Sequence, residues 1–115
     1  IVLSPGVPHY TREALPGPLK DFLAQHNLKL GEIRHWVSHP GGPKVIDALE
    51  EGLILPAGTL NRTRQSLAEI GNLSSTSVLI ILEEWLRDRI AKPGDWGMML
   101  SMGPGFCAEA ALLRW

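Results

Sequence analysis

A chain of 115 residues, 44% hydrophobic and 20% charged, has the makeup of one globular domain with a real core, not of a disordered segment. A net charge of -1, with the eleven Lys and Arg scattered, gives no basic footprint for nucleic acid or an anionic membrane surface. The longest apolar run, Val78 to Leu82, is far shorter than a bilayer span, and one lone cysteine, Cys107, is ordinary for a reducing compartment, so a cytoplasmic setting is expected.

Ile1 to Ser4 reads as a short buried strand stopped by Pro5-Gly6. With no initiator Met and no lead-in, this opening reads as a chain entered in mid-fold, so a fragment of a longer protein is expected. From Val7 to His26, Leu15, Leu19, Phe22 and Leu23 mark a helical face, broken near Pro16 and Pro18. Leu28 and Leu30 anchor the connection that follows. Arg34 to Ser38 is a strand running into the turn His39-Pro40-Gly41-Gly42-Pro43. Pro43 opens a helix whose Val45, Ile46, Leu49 and Leu53 share one face. Thr59 is placed to cap a helix through about Ile70, and Gly71 to end it. A long helix from about Ser75 to Ile90 has apolar residues on more than one side, which predicts deep burial. Trp96 to Met102 and Phe106 to Arg114 are strand-like, joined by Gly103-Pro104-Gly105. Helices alternating with buried strands predict an α/β architecture of layered helices and a mixed sheet.

His39 is the first chemical candidate. A histidine at a strand's carboxyl end, followed by two glycines and a helix start, sits where α/β proteins place ligands. Spacing alone leaves open a histidine that merely satisfies a turn carbonyl. Asn72 has a similar interhelical setting and by itself reads as an N-cap or a left-handed turn residue. Taken as a pair, a His and an Asn donor form the kind of oxyanion hole that acyl chemistry requires. His35 and His39 stand about 13 Å apart on an extended strand and cannot share a metal ion; none is expected. His9 and His26 lack ligand partners and are expected at the surface. Cys107 reads as a small core residue, and Glu50-Glu51 and Glu83-Glu84 as solvated helix faces.

Three segments in series resemble type III polyketide synthases of the chalcone synthase kind. They are Trp36-Val37-Ser38-His39-Pro40-Gly41-Gly42-Pro43, Gly71-Asn72-Leu73-Ser74-Ser75, and Trp96-Gly97 through Ser101-Met102-Gly103-Pro104-Gly105. The resemblance spans nearly the whole chain and implies that residues 1–115 are the C-terminal half of a thiolase-like fold, with the N-terminal half absent. It implies a Cys-His-Asn triad that loads an acyl group from CoA, decarboxylates malonyl-CoA and extends the chain by Claisen condensation. By residue match His39 and Asn72 are the triad members, and the nucleophilic cysteine lies elsewhere, since Cys107 is misplaced for it. Gly41 and Gly42 match the entry of the CoA arm. Ser74 matches the acyl pocket, and Gly103, Pro104 and Gly105 match the loop that shapes the cyclisation cavity. CoA thioesters are the implied substrates, with no metal or redox cofactor. The implied partners are the missing half of the same chain and a second copy in a homodimer.

Ser-Met-Gly-Pro-Gly stands where plant chalcone synthases carry Gly-Phe-Gly-Pro-Gly, and Leu73 where they usually carry Met; these departures look bacterial. A β-ketoacyl carrier-protein synthase typically shows His-Gln-Ala-Asn in place of His-Pro-Gly-Gly, so free CoA thioesters are favoured over that rival. A non-catalytic thiolase-like interaction module is the alternative from another class. Without the nucleophile, this piece alone is expected to be inactive.

Overall fold

The computed structural model describes residues 6–39, 41–73, 75–103 and 107–115. The strand expected at Ile1 to Ser4 therefore lies outside the described residues. Two short helices come first, α1 (Gly6–Glu13) and α2 (Pro16–Ala24), with Pro16 in the first turn of the second. Proline's missing N–H costs nothing there, so the sequence restarts a helix where it could not continue one. A single 3-10 turn, Leu30–Glu32, leads into strand β1 (Ile33–Ser38). Then come α3 (Pro43–Gly52), α4 (Asn61–Glu69), α5 (Ser75–Arg87), β2 (Trp96–Gly103) and β3 (Cys107–Arg114).

The three strands form one mixed sheet in the order β1-β2-β3, with β1 and β2 parallel and β2 and β3 antiparallel. Side chains alternate across it, as a strand's period of two requires. Trp36, Met98 and Leu100 enter a core with Leu19 and Leu23 of α2 and Ile46 and Leu49 of α3. The neighbouring positions, Val37 and Met99, face the opposite way and pack on Val78, Ile81 and Trp85 of α5. The sheet is thus a middle layer between α2/α3 and α5. The four apolar residues that marked the third helix, Val45, Ile46, Leu49 and Leu53, are all buried.

Three expectations need correction. Cys107 is exposed, not a core residue. Its neighbours Ala108, Ala110 and Leu112 take the inward positions of β3, and the alternation turns Cys107 and Glu109 outward. Helix α5 is not deeply buried on all sides, because Leu79 and Leu86 are 61% and 56% exposed. The stripe Val78, Ile81 and Trp85 packs against the sheet, and Leu79 and Leu86 lie on the side it does not reach. Thr59 does not cap α4: its hydroxyl donates to the Pro56 carbonyl at 2.6 Å, and Leu60 holds the N-cap position without a side-chain bond.

Candidate active site

Parallel pairing of β1 with β2 puts both carboxyl ends at one edge of the sheet, and the candidate site is built there. The pairing extends one residue past β1, because the His39 N–H donates to the Leu100 carbonyl at 2.9 Å. Thr63 of α4 adds a second anchor: its buried hydroxyl donates to the Ser38 carbonyl at 3.2 Å. His39 continues the parity of His35 and Val37, whose side chains face α5, and its imidazole is only 5% exposed.

The turn after it needs glycine at one position above all. Gly42, the N-cap of α3, has φ 125° and ψ 160°, a region closed to residues with a Cβ. Its carbonyl accepts the Val45 and Ile46 N–H groups at 3.1 and 3.0 Å, which starts the helix at Pro43, four residues beyond the histidine. Gly71 does the equivalent work at the end of α4. With φ 84° it takes the left-handed position after the C-cap, and its N–H donates to the Leu67 carbonyl at 3.0 Å. The chain then turns through Asn72 toward α5.

His39 and Asn72, 33 residues apart in sequence, meet at this edge: His39 Nε2 lies 2.8 Å from Asn72 Oδ1. A carboxamide oxygen only accepts, so the contact requires a proton on Nε2. The other ring nitrogen, Nδ1, is buried and has no hydrogen-bond partner among the described residues. Asn72 is exposed, so the pair opens outward through the carboxamide while the imidazole is walled in behind it. One ring N–H and one amide at hydrogen-bonding distance can engage a single carbonyl oxygen. For both to donate at once, the Asn72 amide must turn so that Nδ2 replaces Oδ1.

Gly41 and Gly42 lie next to His39 in the turn, and Gly103 ends β2 at the same edge of the sheet. Ser74, Pro104 and Gly105 lie outside the described residues. His35 is held elsewhere, with Nε2 2.8 Å from Asp95 Oδ2 and the ring edge-on to Trp85 and Trp115. His9 and His26 are exposed. No group of three or more His, Cys, Asp and Glu side chains placed to hold a metal ion occurs among the described residues. Among those residues, too, no helix is long and apolar enough to cross a membrane. Sequence reading missed two pairings: His35–Asp95, between residues 60 positions apart, and the Ser77 hydroxyl, which accepts the Leu73 N–H at 2.8 Å. A small polar residue in the first turn of α5 was the only local hint of the second.

The fold is thus an α/β layer with a buried histidine at a strand end facing an asparagine that leads into a helix. Comparison with known proteins makes the assignment particular. Residues 1–115 match the family described as chalcone and stilbene synthases, C-terminal domain, and the chain belongs to that family. It is 50% identical over 115 residues to a 1,3,6,8-tetrahydroxynaphthalene synthase of Streptomyces peucetius subsp. caesius, covering 100% of this chain and 30% of that protein. It is 34% identical over 113 residues to a 3,5-dihydroxyphenylacetyl-CoA synthase of Amycolatopsis orientalis, covering 98% of this chain and 30% of that one. Among solved structures, PKS-I of the brown alga Ectocarpus siliculosus superposes with a TM-score of 0.89 at 32% identity, over 98% of this chain and 31% of that one. The 1,3,6,8-tetrahydroxynaphthalene synthase of Streptomyces coelicolor A3(2), a bacterial type III polyketide synthase, gives 0.90 at 28% identity, over 99% and 32%. The chain thus spans about 30% of the length of the curated relatives it matches.

Proposed function

We propose that this chain supplies the histidine and asparagine of a Cys-His-Asn triad in a type III polyketide synthase. The observation that carries the reading is the 2.8 Å contact between His39 and Asn72 at the carboxyl edge of the sheet. In the proposed cycle a cysteine thiolate, from a part of the enzyme beyond these residues, attacks an acyl-CoA thioester and expels the CoA thiolate. Malonyl-CoA then loses carbon dioxide, and the electron pair of the broken C–C bond passes into the thioester as an enolate. His39 Nε2–H and Asn72 Nδ2–H donate to the oxygen on which that charge gathers. The enolate carbon attacks the acyl-cysteine thioester, forming the new C–C bond and freeing the cysteine. Donors already in place stabilise charge that exists only during the reaction, which is where binding energy speeds chemistry.

Gly41 and Gly42 are assigned to the entry of the CoA arm, where missing side chains admit a ligand close to the backbone. Ser74, Gly103, Pro104 and Gly105 are assigned to the cavity in which the chain grows. The substrates are malonyl-CoA and an acyl-CoA, and the reaction as drawn calls on no metal or redox cofactor. The remainder of the same polypeptide, in a thiolase-like fold and a homodimer, is the partner we assign, in a cytoplasmic enzyme. The 115 residues alone are expected to have no synthase activity. The test is His39→Ala in the full-length protein, assayed for carbon dioxide release from malonyl-CoA. Loss of one such donor is worth roughly 100- to 1,000-fold. Release at the parent rate would remove His39 from the triad.

A further inference from the structure

We propose that Ser77 is a positioning residue for Asn72, acting on the catalytic carboxamide through the backbone; the inference rests on the triad reading above. Ser77 is the third residue of α5 and is 1% exposed. Burying a hydroxyl there needs a reason, since an alanine would fill the same helical position without the desolvation cost. The reason is a single bond: Ser77 Oγ accepts the Leu73 N–H at 2.8 Å, reaching back out of the helix.

That N–H belongs to the peptide joining Asn72 to Leu73, so the hydroxyl sets the plane of the peptide on one side of Asn72. The other side is set by Gly71, whose N–H is tied to the Leu67 carbonyl at 3.0 Å and whose φ of 84° fixes the exit from α4. Asn72 is therefore suspended between two tethered residues, one tied to each helix. Packing contributes little here, because Asn72 is exposed and Leu73 is 47% exposed. Backbone direction sets where the Asn72 side chain leaves the chain, and its carboxamide oxygen lies 2.8 Å from His39 Nε2. Without the tether the peptide swings, and the carboxamide spends less time in range of the acyl oxygen.

The experiment uses the full-length enzyme and malonyl-CoA decarboxylation. Ser77→Ala is expected to lower kcat roughly 3- to 10-fold, the scale of one neutral hydrogen bond, with KM for malonyl-CoA unchanged. Ser77→Thr, which keeps the hydroxyl, should hold the rate above that of Ser77→Val, which has the same shape without it. Coupling is the decisive readout. In an Asn72→Ala background there is no carboxamide left to position, so Ser77→Ala should cost nothing further in kcat. A merely structural serine would lower kcat by the same factor in both backgrounds, and that result overturns the proposal. So would equal rates for the Thr and Val variants. If Ser77→Ala runs at the parent rate while Asn72→Ala is slow, only the tether fails. If Asn72→Ala itself runs at the parent rate, the triad reading falls and takes this inference with it.

Discussion

Asp95 shows how single residues hold the end of the sheet opposite the site. Its carboxylate sits below the ordinary value of 3.8, first because it accepts a hydrogen bond from His35 and then because it accepts the Lys92 N–H at 3.0 Å; Arg34 adds a smaller attraction. Asp95 also works through its backbone, accepting the Trp115 N–H at 3.0 Å, while the Gly94 N–H donates to the Trp115 carbonyl at 2.6 Å. A depressed carboxylate stabilises the fold above its unfolded pKa, and the stabilisation disappears as pH falls through the lower folded value. Hydrogen exchange at the Gly94 and Trp115 amides, corrected for intrinsic rates, should therefore show weaker protection near pH 3 than at pH 6. Asp95→Asn should show the weaker protection at both. Equal protection of the parent at the two pH values would contradict the pairing. The pair was invisible to a local reading because its two members belong to different strand ends; only the β1-β2 register brings them together.

At the scale of elements, most of the architecture was legible because periodicity and punctuation agreed. Pro16 and Pro43 start helices, Gly71 follows the end of one, and the alternation of Trp36 and Val37 divides the two cores. What escaped was side-of-layer information. The apolar content of α5 signals burial all round, but among the described residues nothing covers Leu79 and Leu86. Likewise a strand-borne cysteine reads as core until the alternation shows β3 turning it outward. The two glycine types predict opposite signs. Gly42→Ala forces a Cβ into φ 125° and should destabilise the full-length protein by about 1–3 kcal/mol. Gly31→Ala, in the 3-10 turn before β1 and with no atom beyond its chain neighbours within 4 Å of the added Cβ, should stabilise it by about 0.4–1 kcal/mol. Chemical denaturation of the two variants checks both; a neutral Gly42→Ala would mean that the turn after His39 relaxes freely.

For the whole molecule, the outward stripe of α5 matters most. Leu79 and Leu86 lie seven residues apart on one side of the helix, and Leu73 just before it is also exposed. Exposed apolar surface of this kind marks an interaction face. We expect the 115-residue chain in isolation to self-associate, and Leu79→Lys with Leu86→Lys to shift it toward monomer. Light scattering reads both, and a sharp monomer peak for the parent chain would count against it. At this scale three motifs in series pointed to one family, and the fold brings residues from two of them, His39 and Asn72, within 2.8 Å of each other. The third ends in residues outside those described. The most direct measurement is the pairwise cycle of His39→Ala and Asn72→Ala in the full-length protein, followed by carbon dioxide release from malonyl-CoA. Two groups that serve one acyl oxygen should fail as a unit, with the double variant about as slow as the slower single one. Losses that simply multiply, or a parent rate in either single variant, would show that the two side chains do not share a task.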